Sequence, residues 1–155
     1  MKIAVGSDER TALTDVVVDE LRAKGMSVEL VGALEEGDDP SWPEVGRSVA
    51  ERVSRGEVDQ GILFCWTGTG VSIAANKVPG VRAALCADAS TASGARQWNH
   101  ANILVMGLRL TSPEVALEML TAWFSTPPGD GEQAELVDRL EAIDKSYRSA
   151  ERSLT

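Results

Sequence analysis

One histidine and two cysteines make up the chain's supply of soft metal ligands, and Cys65, Cys86 and His100 are well separated along its 155 residues. Zinc sites draw on about four such ligands at close spacing, so neither a metal nor an organic cofactor is expected. Two thiols in a chain large enough to fold without covalent staples read as reduced cysteines. Also lacking is any apolar run near the roughly 18 residues that cross a membrane. The N-terminus opens on the strand-like MKIAVGS rather than on a basic region, an apolar stretch and a cleavage site. A cytoplasmic protein with no membrane attachment is expected. Positive charge is scarce too: 15 Lys and Arg stand against 24 Asp and Glu, a net charge of -9. That excess disfavours a nucleic acid or an anionic membrane as the main partner. A small anionic ligand stays open, because a few local cations and oriented amides suffice to hold it. The G-x-G-x-x-G turn and the P-loop with its lysine are both missing, which disfavours a dinucleotide site.

What is present is an alternation of short apolar runs with longer segments of helical period, the pattern of parallel strands joined by crossover helices. Lys2–Gly6, Ser27–Gly32, Gly61–Cys65, Val81–Cys86 and Asn102–Met106 read as five strands. Helices are expected where Leu13, Val16, Val17 and Leu21 share a face, where Val45, Val49 and Val53 do, over Val71–Asn76 and over Ala89–Trp98. The acidic stretch Glu35–Pro43 reads as a loop. Ser112 followed by Pro113 and Glu114 marks a further helix start. After a break over Thr126–Gly131, a last helix carries Leu136, Leu140, Ile143 and Tyr147 as an apolar stripe that docks either on its own body or on a second subunit. Residues 149–155 read as a frayed tail. The fold class is α/β: a Rossmann-like three-layer domain over residues 1–155, with a five-stranded parallel sheet and a C-terminal helix.

Open parallel sheets bind ligands beyond the carboxyl ends of their strands. Those ends carry Ser7 and Asp8 after the first strand, Cys65 to Gly70 after the third, and Arg109 after the fifth. Gly68 and Gly70 let the backbone approach an anion, and the helix that follows adds its positive end. A cysteine there is either a base or nucleophile of lowered pKa or simply a buried apolar residue.

The segment FCWTGTGVSIAANKVPGVRAALC, residues 64–86, resembles the signature of the ribose-5-phosphate isomerase B and galactose-6-phosphate isomerase family. KIAVGSDE near the start, WNHANILVMGLRL at residues 98–110 and DRLEAID near the end extend the likeness over nearly the whole chain. The resemblance implies a homodimer, or a dimer of dimers, that interconverts aldose and ketose phosphates through an enediolate. It implies that Cys65 is the base between C1 and C2, that the Thr67, Gly68, Thr69 and Gly70 amides with Asn99 stabilise the enediolate, and that Asp8 holds a substrate hydroxyl. Arg109 and Arg139 match phosphate-binding positions, one of them reaching across from the partner. Plainer roles compete: Asp8 as a helix cap and both arginines as surface residues.

Four departures from the family pattern stand out. Trp98 occupies the place of a ring-opening histidine, Glu9 that of a second histidine, Trp66 that of a glycine, and residues 131–135 lack the usual basic cluster. His100, two positions beyond Trp98, is turned by roughly 200 degrees on a helix and is expected to serve an ordinary polar or capping role. The substrate is therefore expected to differ from that of a typical relative, a tetrose phosphate being one candidate. A non-catalytic sugar-phosphate-binding homologue is the competing reading.

Overall fold

The computed structural model describes residues 1–152. Five parallel strands, β1 (Lys2–Ser7), β2 (Ser27–Gly32), β3 (Gln60–Cys65), β4 (Ala83–Leu85) and β5 (Ile103–Gly107), form one sheet in the order β2-β1-β3-β5-β4. Six helices accompany them: α1 (Ala12–Ala23), α2 (Trp42–Ser54), α3 (Thr69–Ala75), α4 (Ala89–Asn99), α5 (Pro113–Ser125) and α6 (Glu132–Arg152). Among the described residues, no helix is long and apolar enough to cross a membrane.

Strand alternation splits the interior into two layers. Ile3, Val5, Ile62, Phe64, Leu104 and Met106 point into a core shared with α1, α4 and α5. Ala4, Leu63, Cys65, Ile103 and Val105 point the other way, against Val45 and Val49 of α2 and Val71 and Ala75 of α3. Strands buried on both faces read as continuous apolar runs, which is why β3 and β5 are so visible in the sequence. From β1 the chain moves outward to β2, and from β3 it moves outward in the opposite direction to β4. The sheet therefore has its topological switch point between β1 and β3, the crevice where such folds bind ligands.

Several expectations shift by a turn or less. On α1 the buried side chains are Leu13, Thr14, Val17, Val18 and Leu21, with Val16 at the margin. α2 already includes Trp42 and Pro43, and α3 begins at Thr69. The fourth strand is shorter than its apolar run, because side chains replace the missing neighbour at this sheet edge. Asn76 accepts from Ala83 N–H at 2.8 Å and donates to the Ala83 carbonyl at 2.9 Å, while Asn102 Oδ1 accepts from Arg82 N–H at 2.8 Å. Ser112 caps α5 as expected, its hydroxyl accepting from Val115 N–H at 3.2 Å. The tail expected from residue 149 is helical to Arg152, and its last part, 153–155, lies outside the described residues.

The apolar stripe of α6 is open in this chain: Leu136, Leu140, Ile143 and Tyr147 are 47–75% exposed. Of the α6 side chains described, Val137 alone is buried. A groove of about 560 Å³ runs between the stripe and the β4 edge, lined by Arg82, Ala83, Leu140, Ile143 and Tyr147 among others.

Candidate functional site

Cys65 ends β3 with its thiol buried beside Val71. Its carbonyl accepts from Gly68 N–H at 3.2 Å and from Leu108 N–H at 3.0 Å, so the turn after β3 is pinned to the end of β5. The Trp66 carbonyl extends the tie by accepting from Arg109 N–H at 2.9 Å. Gly68 has φ of 76°, a left-handed conformation that a side chain would strain, and a Cβ there would stand 3.2 Å from the Gly107 nitrogen. The turn is thus forced down onto β5 and feeds directly into α3, whose first N–H groups have no intrahelical partner. Thr67 and Thr69 share a hydroxyl hydrogen bond of 2.7 Å across the turn. Trp66 is more than half exposed, projecting at the rim.

Across the switch point, β1 ends at the fully buried Ser7, whose hydroxyl donates to the Glu9 carbonyl at 2.5 Å. Asp8 Oδ1 is buried with no hydrogen-bond partner. Burial holds the Asp8 carboxyl above its ordinary pKa, against the hydrogen bond from its own backbone N–H, and Glu9 adds a smaller push in the same direction. The capping alternative for Asp8 is excluded: α1 is capped by Thr11, which forms a reciprocal capping box with Thr14. Glu9 is exposed beside Asp8.

Three expected site residues lie elsewhere. α4 runs antiparallel to the strands, starting past the carboxyl end of β4 and ending before the amino end of β5. Its 11 residues therefore carry Trp98 and Asn99 roughly 16 Å along the sheet from the end where α4 begins. The next loop confirms the location, since the Asn102 carbonyl accepts from Gly61 N–H at the start of β3. Expected beside the turn amides, Asn99 lies at the opposite end of the sheet from the turn of its own chain. Trp98 folds back along α4, its ring 2.7 Å from where a Gly94 Cβ would be. Trp98, Asn99, Leu136 and Leu140 border a cleft of about 340 Å³ at this end. Arg139 is exposed on the same helix as Leu136, three residues on and so on the same side.

Sequence reasoning overlooked Trp42, which lies in the first turn of α2 with its ring against Gly70, 3.0 Å from where a Cβ would be. Its only signal was an aromatic before Pro43 at a helix start. The second cysteine, Cys86, is buried at the end of β4, where loss of water with the nearby Asp88 charge lifts its thiol pKa to about 11. A thiol so protonated is a poor nucleophile. Among the described residues, no group of three or more His, Cys, Asp or Glu is placed to hold a metal ion.

The model of the Ribose/Galactose Isomerase family matches residues 3–140. D-erythrulose-4-phosphate isomerase of Pectobacterium atrosepticum is 36% identical over 141 residues, 90% of this chain and 93% of that protein. Ribose-5-P isomerase B of Listeria innocua is 35% identical over 96% of this chain and the whole of its own length. Among solved structures, Clostridium thermocellum ribose-5-phosphate isomerase B superposes with a TM-score of 0.88 at 39% identity, covering 95% of this chain and 99% of that one. With a sheet of the same architecture and a match running from β1 into α6, the chain belongs to the ribose/galactose isomerase family.

Proposed function

We propose that the protein interconverts the aldose and ketose forms of a phosphorylated sugar, Cys65 moving the proton between C1 and C2 through a cis-enediolate. The observation that carries this is the setting of Cys65: a buried thiol next to the switch point, ending β3 and opening a turn that leads into the N-terminus of α3. Negative charge that develops on the enediolate oxygens is best met by dipoles already in place, and the amides of Thr67, Thr69 and Gly70 around the start of α3 supply them, that of Gly68 being taken by the Cys65 carbonyl. Asp8, half-buried with Oδ1 fully covered and unpartnered, suits a substrate hydroxyl as its missing donor. Glu9, Trp66 and Arg109 are exposed beside the ends of β1, β3 and β5, where a sugar phosphate at this end would meet them.

Each complete site takes two chains. Cys65, Asp8 and Arg109 lie at one end of the sheet, and Trp98, Asn99 and Arg139 at the other, so one copy supplies the reacting half and its partner the cationic half. The exposed stripe of α6 is the surface such a homodimer would bury. The two unpaired, buried thiols suit a reducing compartment, and we place the protein in the cytoplasm.

For the substrate we favour a four-carbon sugar phosphate. A tetrose phosphorylated on its terminal oxygen cannot close a furanose and needs no ring-opening acid, which fits Trp98 at the position where the family likeness places a histidine. The erythrulose- and ribose-phosphate relatives are equally similar overall, so this preference rests on Trp98. Incubation with a tetrose 4-phosphate or ribose 5-phosphate in D₂O tests the reaction. An isomerase incorporates deuterium at C2, with faster turnover of the tetrose; a binding protein leaves both sugars unlabelled, and that result would sink the reading.

A further inference from the structure

Among the described residues, His100 is the one non-glycine residue with positive φ, at 48° with ψ 37°. It ends α4 in the left-handed conformation that glycine normally supplies at a helix C-terminus. A side chain kept at such a position points to work done by that side chain. Its ring Nε2 stands 2.6 Å from the carbonyl oxygen of Gly129, and since a carbonyl only accepts, Nε2 carries the proton and donates. One turn back, the Gln97 carbonyl accepts from Gly129 N–H at 2.9 Å. A Cβ on Gly129 would lie 2.6 Å from that oxygen, so the approach is possible only for glycine. Two hydrogen bonds thus close a ring between the last turn of α4 and the linker that begins α6.

A second tie runs in parallel. Arg82 Nε donates to the His100 carbonyl at 3.0 Å, and its Nη1 reaches Glu141 on α6 at 3.1 Å. Trp98 and Asn99 immediately precede His100, and Arg139 lies on α6 between the Gly129 linker and Glu141. Polar ties matter more than usual for this helix, because Val137 is its one buried side chain among those described. Arg148 adds another near the far end, donating to the Lys77 carbonyl at 3.0 Å.

We propose that His100 is a positioning residue: it locks the end of α4 to the Gly129 linker, so that Trp98, Asn99 and Arg139 reach the site of a second copy as one preorganised unit. The inference rests on the shared-site isomerase reading. Its benefit is ordering α6 before substrate arrives, so that the cost of fixing Arg139 is not taken from the binding free energy. The chain's sole histidine then acts on geometry and not on protons of the substrate.

Two variants separate ring from backbone. His100→Gly keeps the left-handed turn and deletes the donor, whereas His100→Gln restores a donor of similar reach. In the full-length protein, hydrogen exchange of the amides of residues 129–137 should quicken about tenfold in His100→Gly and return towards wild type in His100→Gln. With a tetrose 4-phosphate, KM should rise about tenfold in His100→Gly while kcat changes little, and the same substitution in an Arg139→Ala background should add nothing. Unchanged exchange overturns the clamp. Faster exchange with unaltered KM, or an equal KM effect without Arg139, overturns the positioning role. A wild-type protein that turns over no sugar phosphate overturns the isomerase reading and this role with it, and the exchange profile still distinguishes that result from a missing clamp.

Discussion

The two ends of the sheet are built on different principles. At the carboxyl end, the turn after Cys65 is fixed by backbone: Gly68 and Leu108 both bond to the Cys65 carbonyl, and Arg109 bonds to that of Trp66. At the amino end, Trp98, Asn99 and Arg139 are exposed on two helices, and what orders them is side-chain bonding through His100, Arg82 and Glu141. A backbone-fixed turn suits chemistry, where reacting atoms must hold position within a fraction of an ångström. A side-chain-tied helix face suits recognition, where a phosphate tolerates more latitude and residues can be exchanged without disturbing the core. The departures from the family pattern follow that division only in part: Trp98 lies at the amino end and the missing basic cluster at the start of α6, while Trp66 and Glu9 lie beside the carboxyl ends of β3 and β1.

The strongest way to break this division is at Cys65. Cys65→Ala should lower kcat by about a thousandfold or more while leaving the circular dichroism spectrum and unfolding temperature near wild type, since little volume is lost. An active Cys65→Ala protein would move the chemistry away from the turn.

Trp98→His sharpens the recognition half. On ribose 5-phosphate, kcat/KM should rise by about tenfold to a hundredfold, because general acid catalysis returns to a ring that otherwise opens spontaneously. On a tetrose 4-phosphate it should change little. Efficient wild-type use of ribose 5-phosphate would show that another group opens the ring.

Mixing variants tests whether the halves come from different chains. Cys65→Ala removes the proposed base and Arg139→Ala weakens phosphate binding, so at a substrate concentration far below the raised KM of Arg139→Ala, equal amounts unfolded and refolded together should regain about a quarter of wild-type activity, one intact site in each mixed dimer. No recovery, with dimers present by light scattering, would mean that both halves act within one chain.

The strands and strand ends at the carboxyl edge of the sheet were legible from first principles. Apolar runs located β3 and β5, and the strand-end rule selected Asp8, Cys65 and Arg109; Gly68 was expected for an approach to an anion, and its positive φ serves a close approach to Gly107 of β5. The other half was reachable only through family likeness. No rule of periodicity connects Asn99 or Arg139 to Cys65, because the residues lie at opposite ends of the sheet, and under the proposed reading they meet only between two copies. The clamp was invisible for a different reason: His100 and Gly129 are 29 residues apart and meet only because the α5–α6 linker passes the end of α4. Edge effects set the remaining misses. The fourth strand looked longer because sequence periodicity does not register that Asn76 and Asn102 would take over its hydrogen bonds.

The smallest expected effect concerns Asp8 and the cost of keeping a carboxylate at the reacting end. Its folded-state pKa is raised, chiefly by burial, so the unfolded chain gives up this proton first as pH increases. Stability from this group is therefore fully present below the ordinary carboxylate pKa and is lost as pH rises through the higher folded value. Above that value the ionised Asp8 opposes folding. Asp8→Asn removes that penalty, and its unfolding temperature at pH 7 should exceed wild type by roughly one or two degrees, with the gap narrowing as the pH is lowered into the acid range where wild-type Asp8 is protonated. Turnover should fall at the same time, because a neutral amide oxygen accepts a hydrogen bond from a substrate hydroxyl more weakly than a carboxylate does. Thermal unfolding of both proteins at pH 7 and in acid decides it. An Asp8→Asn protein less stable than wild type at pH 7 would mean that the carboxylate braces the end of β1, and that Asp8 is part of the scaffold and not of the site.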